Sequence, residues 1–244
     1  MSSLSASAPP RLAAVAVHVY TALGAVLALL MVHFSYAGEV ELVLWLFLAA
    51  MVVDGTDGFL ARHFRVKELV PGFDGALLDN IIDYITYAFA PMVLLWSAGF
   101  LPGGWLGGVV ASVPLLASCY QFCRSDAKTE DHFFLGFPSY WNIAAFYLVV
   151  LSAGVAVTTT VLLVLTVMVF VPIKYVYPSR TEIAWWPTMT LTTLWLVLYA
   201  VILAQYPSPS VWLIVVSGGY VVYYAALSLH LTLTRRQSTE VASA

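Results

Sequence analysis

The sequence predicts an all-α integral membrane protein with about eight transmembrane helices, and three observations carry that expectation. Hydrophobic residues make up 61% of the 244 and charged residues only 9%, with a mean hydropathy of +0.90, outside the range of water-soluble domains. The apolar residues run in stretches close to the length of about 20 that a helix needs to cross a bilayer core. Finally, the 10 Lys and Arg gather at alternate ends of those stretches, as the positive-inside rule demands of a chain with an even number of spans.

Taken in order, residues 1–11 form a polar tail ending at Arg11, and residues 12–34 the first span. The tail MSSLSASAPPR lacks the basic region and small-residue cleavage site of a secretory signal, so the first span is expected to be retained. His18 and His33 fall within it and read as packing or interface residues. Glu39 and Glu41 mark a turn into a second span at 41–62, and a loop with Arg65, Lys67, Glu68 and the breaker Pro71-Gly72 leads to a third at 74–97. The fourth span, 104–123, ends at Arg124 and is followed by the most polar connection in the chain, SDAKTEDHFFLGFPSYW. Spans at 138–154, 157–177, 187–205 and 209–233 complete the count, with Lys174 near the end of the sixth, Arg180 just after it and Arg235-Arg236 after the last. The expected organisation is a tail (1–11), one membrane domain (12–234, a six-helix core to 177 plus two further helices) and a second tail (235–244), both tails cytoplasmic. Cys119 and Cys123 have no metal-ligand partners nearby in sequence and read as packed thiols. A net charge of −3 with no basic stripe outside the loops argues against a nucleic-acid partner.

The stretch DGTDGFLARHFRVKELVPGFDGALLDNIID, residues 54–83, breaks the apolar pattern. It sets Asp54, Asp57, Asp79 and Asp83 within or beside two spans, where an ionisable group costs several kcal/mol and so normally faces a polar interior and carries function. Asp54, Asp57, Gly58 and Ala61 share one helical face at i, i+3, i+4 and i+7; Gly75, Asp79 and Asp83 share another at steps of four. Two such faces turned together make a cage of hard oxygen ligands suited to Mg²⁺ or Mn²⁺, and two ions about 3.5–4 Å apart can clamp a diphosphate during an in-line displacement. Arg62 adds a forked donor for phosphate. Solvated helix ends would not place every acid on matched faces of two apolar segments.

Asp57-Gly58, Ala61-Arg62, Gly75, Asp79 and Asp83, preceded by Asp54, resemble the signature of the CDP-alcohol phosphotransferases. That signature has eight residues between its Arg and second Gly; this chain has twelve, His63 to Asp74, a spacing similar to the phosphatidylcholine synthase branch, which joins choline to CDP-diacylglycerol. The resemblance implies a helical bundle of that family's kind in a bacterial inner membrane, a homodimer, two divalent ions, and transfer of a phosphatidyl group with release of CMP. It further implies Asp54, Asp57 and Asp79 as metal ligands, Asp83 as ligand to a second metal and as base, and Gly58, Ala61, Arg62 and Gly75 at the CDP-diacylglycerol site, Gly75 letting the two helices approach closely. Arg124 and Arg180 are expected to contact the donor's phosphates, and Lys128 and Lys174 to act at least as much as topology determinants.

Choline, a quaternary ammonium, offers no N–H to an acceptor and is bound by aromatic faces. Tyr84 and Tyr87 on the third span and Phe137, Tyr140 and Trp141 at the head of the fifth are candidates, with Glu182, Glu130 or Asp131 as countercharge; belt aromatics and solvated loop acids are the plainer readings. Two alternatives stay open. One is a relative using serine, since the Gly136–Ser139 run GFPS also resembles bacterial phosphatidylserine synthases, or another CDP-alcohol phosphotransferase. The other is an ion-coupled transporter, which would place acids through the membrane depth or repeat the motif.

Overall fold

The computed structural model describes residues 8–129 and 131–242. Among the described residues, six helices are long and apolar enough to cross a membrane. Helix α1 (Ala8–Ala37) runs antiparallel into α2 (Val40–His63) through a tight turn at Gly38, and a single turn, α3 (Val66–Leu69), follows. The third span is compound. It comprises α4 (Gly75–Asp83), a π-helical stretch over Tyr84–Phe89, and α5 (Ala90–Ser97). Asp74 caps its start, its Oδ1 accepting from the amides of Ala76 and Leu77 at 3.1 and 3.0 Å, which satisfies two of the first-turn donors. The wider turns begin one residue after Asp83, in keeping with the habit of π-segments to lie at functional sites.

Helix α6 (Trp105–Cys123) is the fourth span, and α9 (Trp185–Leu203) and α10 (Val211–Ala242) are the last two. The fifth and sixth apolar segments are shorter than the sequence suggests. Helix α7 covers only Trp141–Val150 and α8 Val155–Phe170. Gly136 and Ser139, both at positive φ, hold the chain out of a helix before Trp141. Pro172, with no amide hydrogen, keeps Val171 extended and ends α8. The residues released on the two sides pair instead. Strand β1 (Phe133–Leu135) runs antiparallel to β2 (Lys174–Val176), with Phe134 opposite Tyr175. A two-stranded ribbon is therefore added to the helical bundle, β1 from the polar connection that the sequence reads as a loop and β2 from the end of the stretch that it reads as the sixth span.

The core lies between α1, α2, α5, α7 and α9, around Met31, Phe47, Leu94, Trp141, Phe146 and Tyr199. Tyr199 stacks on Phe146 with ring centroids 3.7 Å apart and donates to the Leu44 carbonyl at 3.3 Å. Helix α1 lies against both acid-bearing spans, and its approach depends on Gly24, where an added Cβ would sit 2.3 Å from Ile82 Cγ2. Outward faces stay apolar, as with Leu29, Leu116, Trp186 and Trp212, the surface a lipid-facing bundle presents. Cys119 and Cys123 are free thiols on that exposed side and not packed inside. Within the bundle, hydroxyls pair with one another. Tyr147 meets Ser217 at 2.5 Å and accepts from Trp195 Nε1 at 2.9 Å, while Thr192 meets Tyr220 at 2.7 Å and Thr188 meets Tyr223 at 3.0 Å.

Candidate active site

Helical spacing turns the acids of α2 and of the third span toward each other. Carboxylate oxygens of Asp54, Asp57 and Asp79 all lie within 4.8 Å of one another. Asp83 stands one turn beyond Asp79 and lines, with those three and with Thr21 and Thr86, a space of about 10 Å³, which is about what one small occupant takes. Oxygen donors converging on so small a volume suit a hard divalent cation. Two of the carboxylates are held by hydrogen bonds from other elements. Thr21 on α1 donates to Asp57 Oδ2 at 2.8 Å, and Tyr87, one turn past Asp83, donates to Asp54 Oδ2 at 2.7 Å. Such outer contacts fix the orientation of an acid that would otherwise rotate.

Asp54, Asp79 and Asp83 also line a larger cavity of about 240 Å³. Tyr87, Phe122, Phe134, Tyr140 and Tyr177 line it with them, as do Arg124 and Lys128. Lys128 Nζ lies 3.7 Å from Asp79 Oδ2. Partial burial pulls the Lys128 pKa down, yet the charges of Asp79 and its neighbours outweigh this and leave it raised. Burial raises the phenols of Tyr140 and Tyr177, so both are neutral hydroxyls at physiological pH. Arg124 is held by Asp126, Nε to Oδ1 and Nη2 to Oδ2 each at 2.6 Å, a bidentate pair that raises the guanidinium pKa further.

The remaining residues expected at the site are placed as follows. Gly58 sits beside Arg62, whose Nη1 would be 3.4 Å from a Cβ there. Arg62 itself is exposed. Ala61 packs beside Ala14, Val17 and Val66. Gly75 makes room not for α2 but for α1, since a Cβ on it would lie 2.8 Å from His18 Cε1. Arg180 is exposed, in the turn that its amide closes onto the Tyr177 carbonyl at 2.9 Å. Tyr84 turns from the cavity toward α6, its hydroxyl 3.5 Å from the Leu115 carbonyl and its ring against Phe122. Trp141 is wholly buried and donates to Ser118 Oγ at 2.7 Å. Glu182 is exposed before α9, Asp131 pairs with Lys174 at 2.9 Å, and Glu130 lies outside the described residues.

Lys128, Thr21, Phe134 and Tyr177 come to the site without a signal in the motif. Lys128 reads in sequence as a topology determinant, and Thr21 and the two aromatics belong to segments whose placement depends on the ribbon and on the Gly24 contact.

Carboxylates from two neighbouring spans, focused on one cavity at the end of a membrane bundle and spaced as in the signature quoted above, define a CDP-alcohol phosphotransferase. No protein-family model matches the chain. The chain is 39% identical over 223 residues to the Legionella pneumophila protein named Phosphatidylcholine synthase, covering 88% of this chain and 87% of that one. It is 40% identical over 204 residues to the protein of that name from Legionella bozemanae (81% and 94%) and 36% identical over 193 residues to that from Pseudomonas aeruginosa (79% and 80%). The chain belongs to the phosphatidylcholine synthase family.

Proposed function

We propose that the protein transfers the phosphatidyl group of CDP-diacylglycerol to the hydroxyl of choline, forming phosphatidylcholine and CMP. The observation that carries this is the convergence of Asp54, Asp57, Asp79 and Asp83 on one small space, with Asp54, Asp79 and Asp83 also lining an adjoining aromatic-rich cavity. Asp54, Asp57 and Asp79 would hold one divalent cation, Mg²⁺ or Mn²⁺, and Asp83 would reach a second; when bound, such ions offset the charge of the diphosphate and the charge that passes to CMP.

The protein's own groups supply the rest. Thr21 and Tyr87 fix two of the acids. Gly58, Ala61 and Arg62 lie along the α2 face where the cytidine diphosphate would rest, and Arg124 and Lys128 at the cavity border meet phosphate oxygens. The Asp83 carboxylate takes the proton from the choline hydroxyl as that oxygen attacks the lipid-linked phosphorus. The bond from that phosphorus to the CMP oxygen breaks, and the electron pair leaves with CMP. In this proposal the cavity opens to the cytoplasm of a bacterium, where Lys and Arg concentrate by the positive-inside rule, and the protein works as a homodimer.

Purified protein given CDP-diacylglycerol, Mg²⁺ or Mn²⁺, and labelled choline should release CMP and place the label in lipid. Release of CMP with serine and not choline would overturn the choice of acceptor.

A further inference from the structure

Five aromatic rings line the larger cavity with the acids, and the mutual placement of four of them goes beyond the acceptor residues that the sequence suggests. Tyr87 and Tyr140 have centroids 6.1 Å apart, Tyr140 and Phe134 6.3 Å, and Phe134 and Tyr177 4.5 Å, so the rings form a continuous series. Phe134 and Tyr140 stand nearly perpendicular, at 83°, which allows two ring faces to share one corner of the cavity. A cation about 4.5 Å from both faces of such a corner would require centroids about 6.4 Å apart, within reach of the geometry in which cation–π attraction is effective.

We propose that Tyr87, Phe134, Tyr140 and Tyr177 form the cage that selects a quaternary ammonium acceptor; this rests on the phosphatidyl-transfer function proposed above. Three of the four lie outside the helices, Tyr140 just before α7 and two at the ribbon. Phe134 is on β1 and Tyr177 follows β2, so the ribbon between the polar connection and the end of α8 is what closes the cage. Electrostatics agree with a cationic occupant. Asp54, Asp79 and Asp83 share the cavity, and the ammonium of Lys128 is matched by Asp79. A trimethylammonium group donates no hydrogen bond, so it loses nothing against ring faces, whereas a primary or tertiary ammonium, which carries N–H, would leave its donors unmet there. Seated in the cage, it would leave the choline hydroxyl, two carbons away, toward Asp83.

The test uses the full chain in detergent or vesicles, with choline and N,N-dimethylethanolamine as competing acceptors and tetramethylammonium as a headgroup-only inhibitor. Phe134→Leu and Tyr177→Leu should each raise the KM for choline and the inhibition constant of tetramethylammonium about tenfold. They should also reduce the preference for choline over the tertiary amine while leaving the KM for CDP-diacylglycerol in place. Phe134→Tyr and Tyr177→Phe, which keep a ring, should retain both affinities, and Trp212→Leu on the lipid-facing surface should change neither. Leucine variants that bind choline and tetramethylammonium as the parent does, or lose choline and the tertiary amine equally, overturn the cage. A parent protein that releases no CMP with choline overturns the proposed function and the cage with it, and is distinguished by failing before any substitution is made.

Discussion

Two polar seams run through this apolar bundle, and they are built on opposite plans. In one, on α7, α9 and α10, each hydroxyl finds another: Tyr147 with Ser217 and Trp195, Thr192 with Tyr220, Thr188 with Tyr223. In the other, on α2 and the third span, like-charged groups are aimed at one another, with only Thr21, Tyr87 and Lys128 to answer them. The first seam satisfies polar groups that lipid cannot, and so holds helices together. The second crowds four carboxyl groups against a single lysine, Lys128, an arrangement that serves function and not packing.

That contrast can be broken most decisively at the acid seam. Asp83→Asn should lower turnover by more than about 10³-fold, since it removes the group proposed as base and as ligand to a second ion. Thermal unfolding of the same variant in chelator should show a midpoint unchanged or higher, because one of four crowded charges is gone. A large fall in both activity and midpoint would make the acid seam structural. Chelation of the parent should abolish CMP release, and Mg²⁺ or Mn²⁺ should restore it.

Gly24→Val comes next in size. Its side chain would enter the volume of Ile82, so a loss of about 1–3 kcal/mol in stability is expected, measured by thermal or denaturant unfolding in detergent. Thr21→Val frees Asp57 from its donor and should raise the metal concentration for half-maximal activity about tenfold while leaving the unfolding midpoint nearly unchanged. Smallest is Tyr147→Phe in the hydroxyl seam. It strands the Trp195 N–H at a cost of about 1 kcal/mol, with turnover at saturating substrate within about twofold. A drop in turnover as large as that of Asp83→Asn would erase the distinction between the seams.

The same division separates what could be read along the chain from what could not. The acids were legible because helical spacing is local: residues three and four apart share a face whatever surrounds them, so Asp54 with Asp57 and Asp79 with Asp83 follow from order alone. The ends of α7 and α8 were not, because a 17-residue apolar stretch does not reveal that positive φ at Gly136 and Ser139, or Pro172, will stop the helix and free residues for a ribbon. Tyr84 and Trp141 were plausible acceptor contacts by position, and only packing shows Tyr84 turned to α6 and Trp141 buried on Ser118. Gly75 was rightly a close-approach residue, with α1 and His18 as the neighbour.

By itself, then, the sequence determined that the chain spans a membrane as helices and that four aspartates lie on the facing sides of two of them, since hydropathy and helical period act over a few residues. The tertiary structure alone decided which groups oppose those acids. Thr21, Lys128, Phe134 and Tyr177 come from positions as far as 123 residues from Asp54, and their meeting depends on helix packing and strand pairing that no local pattern encodes.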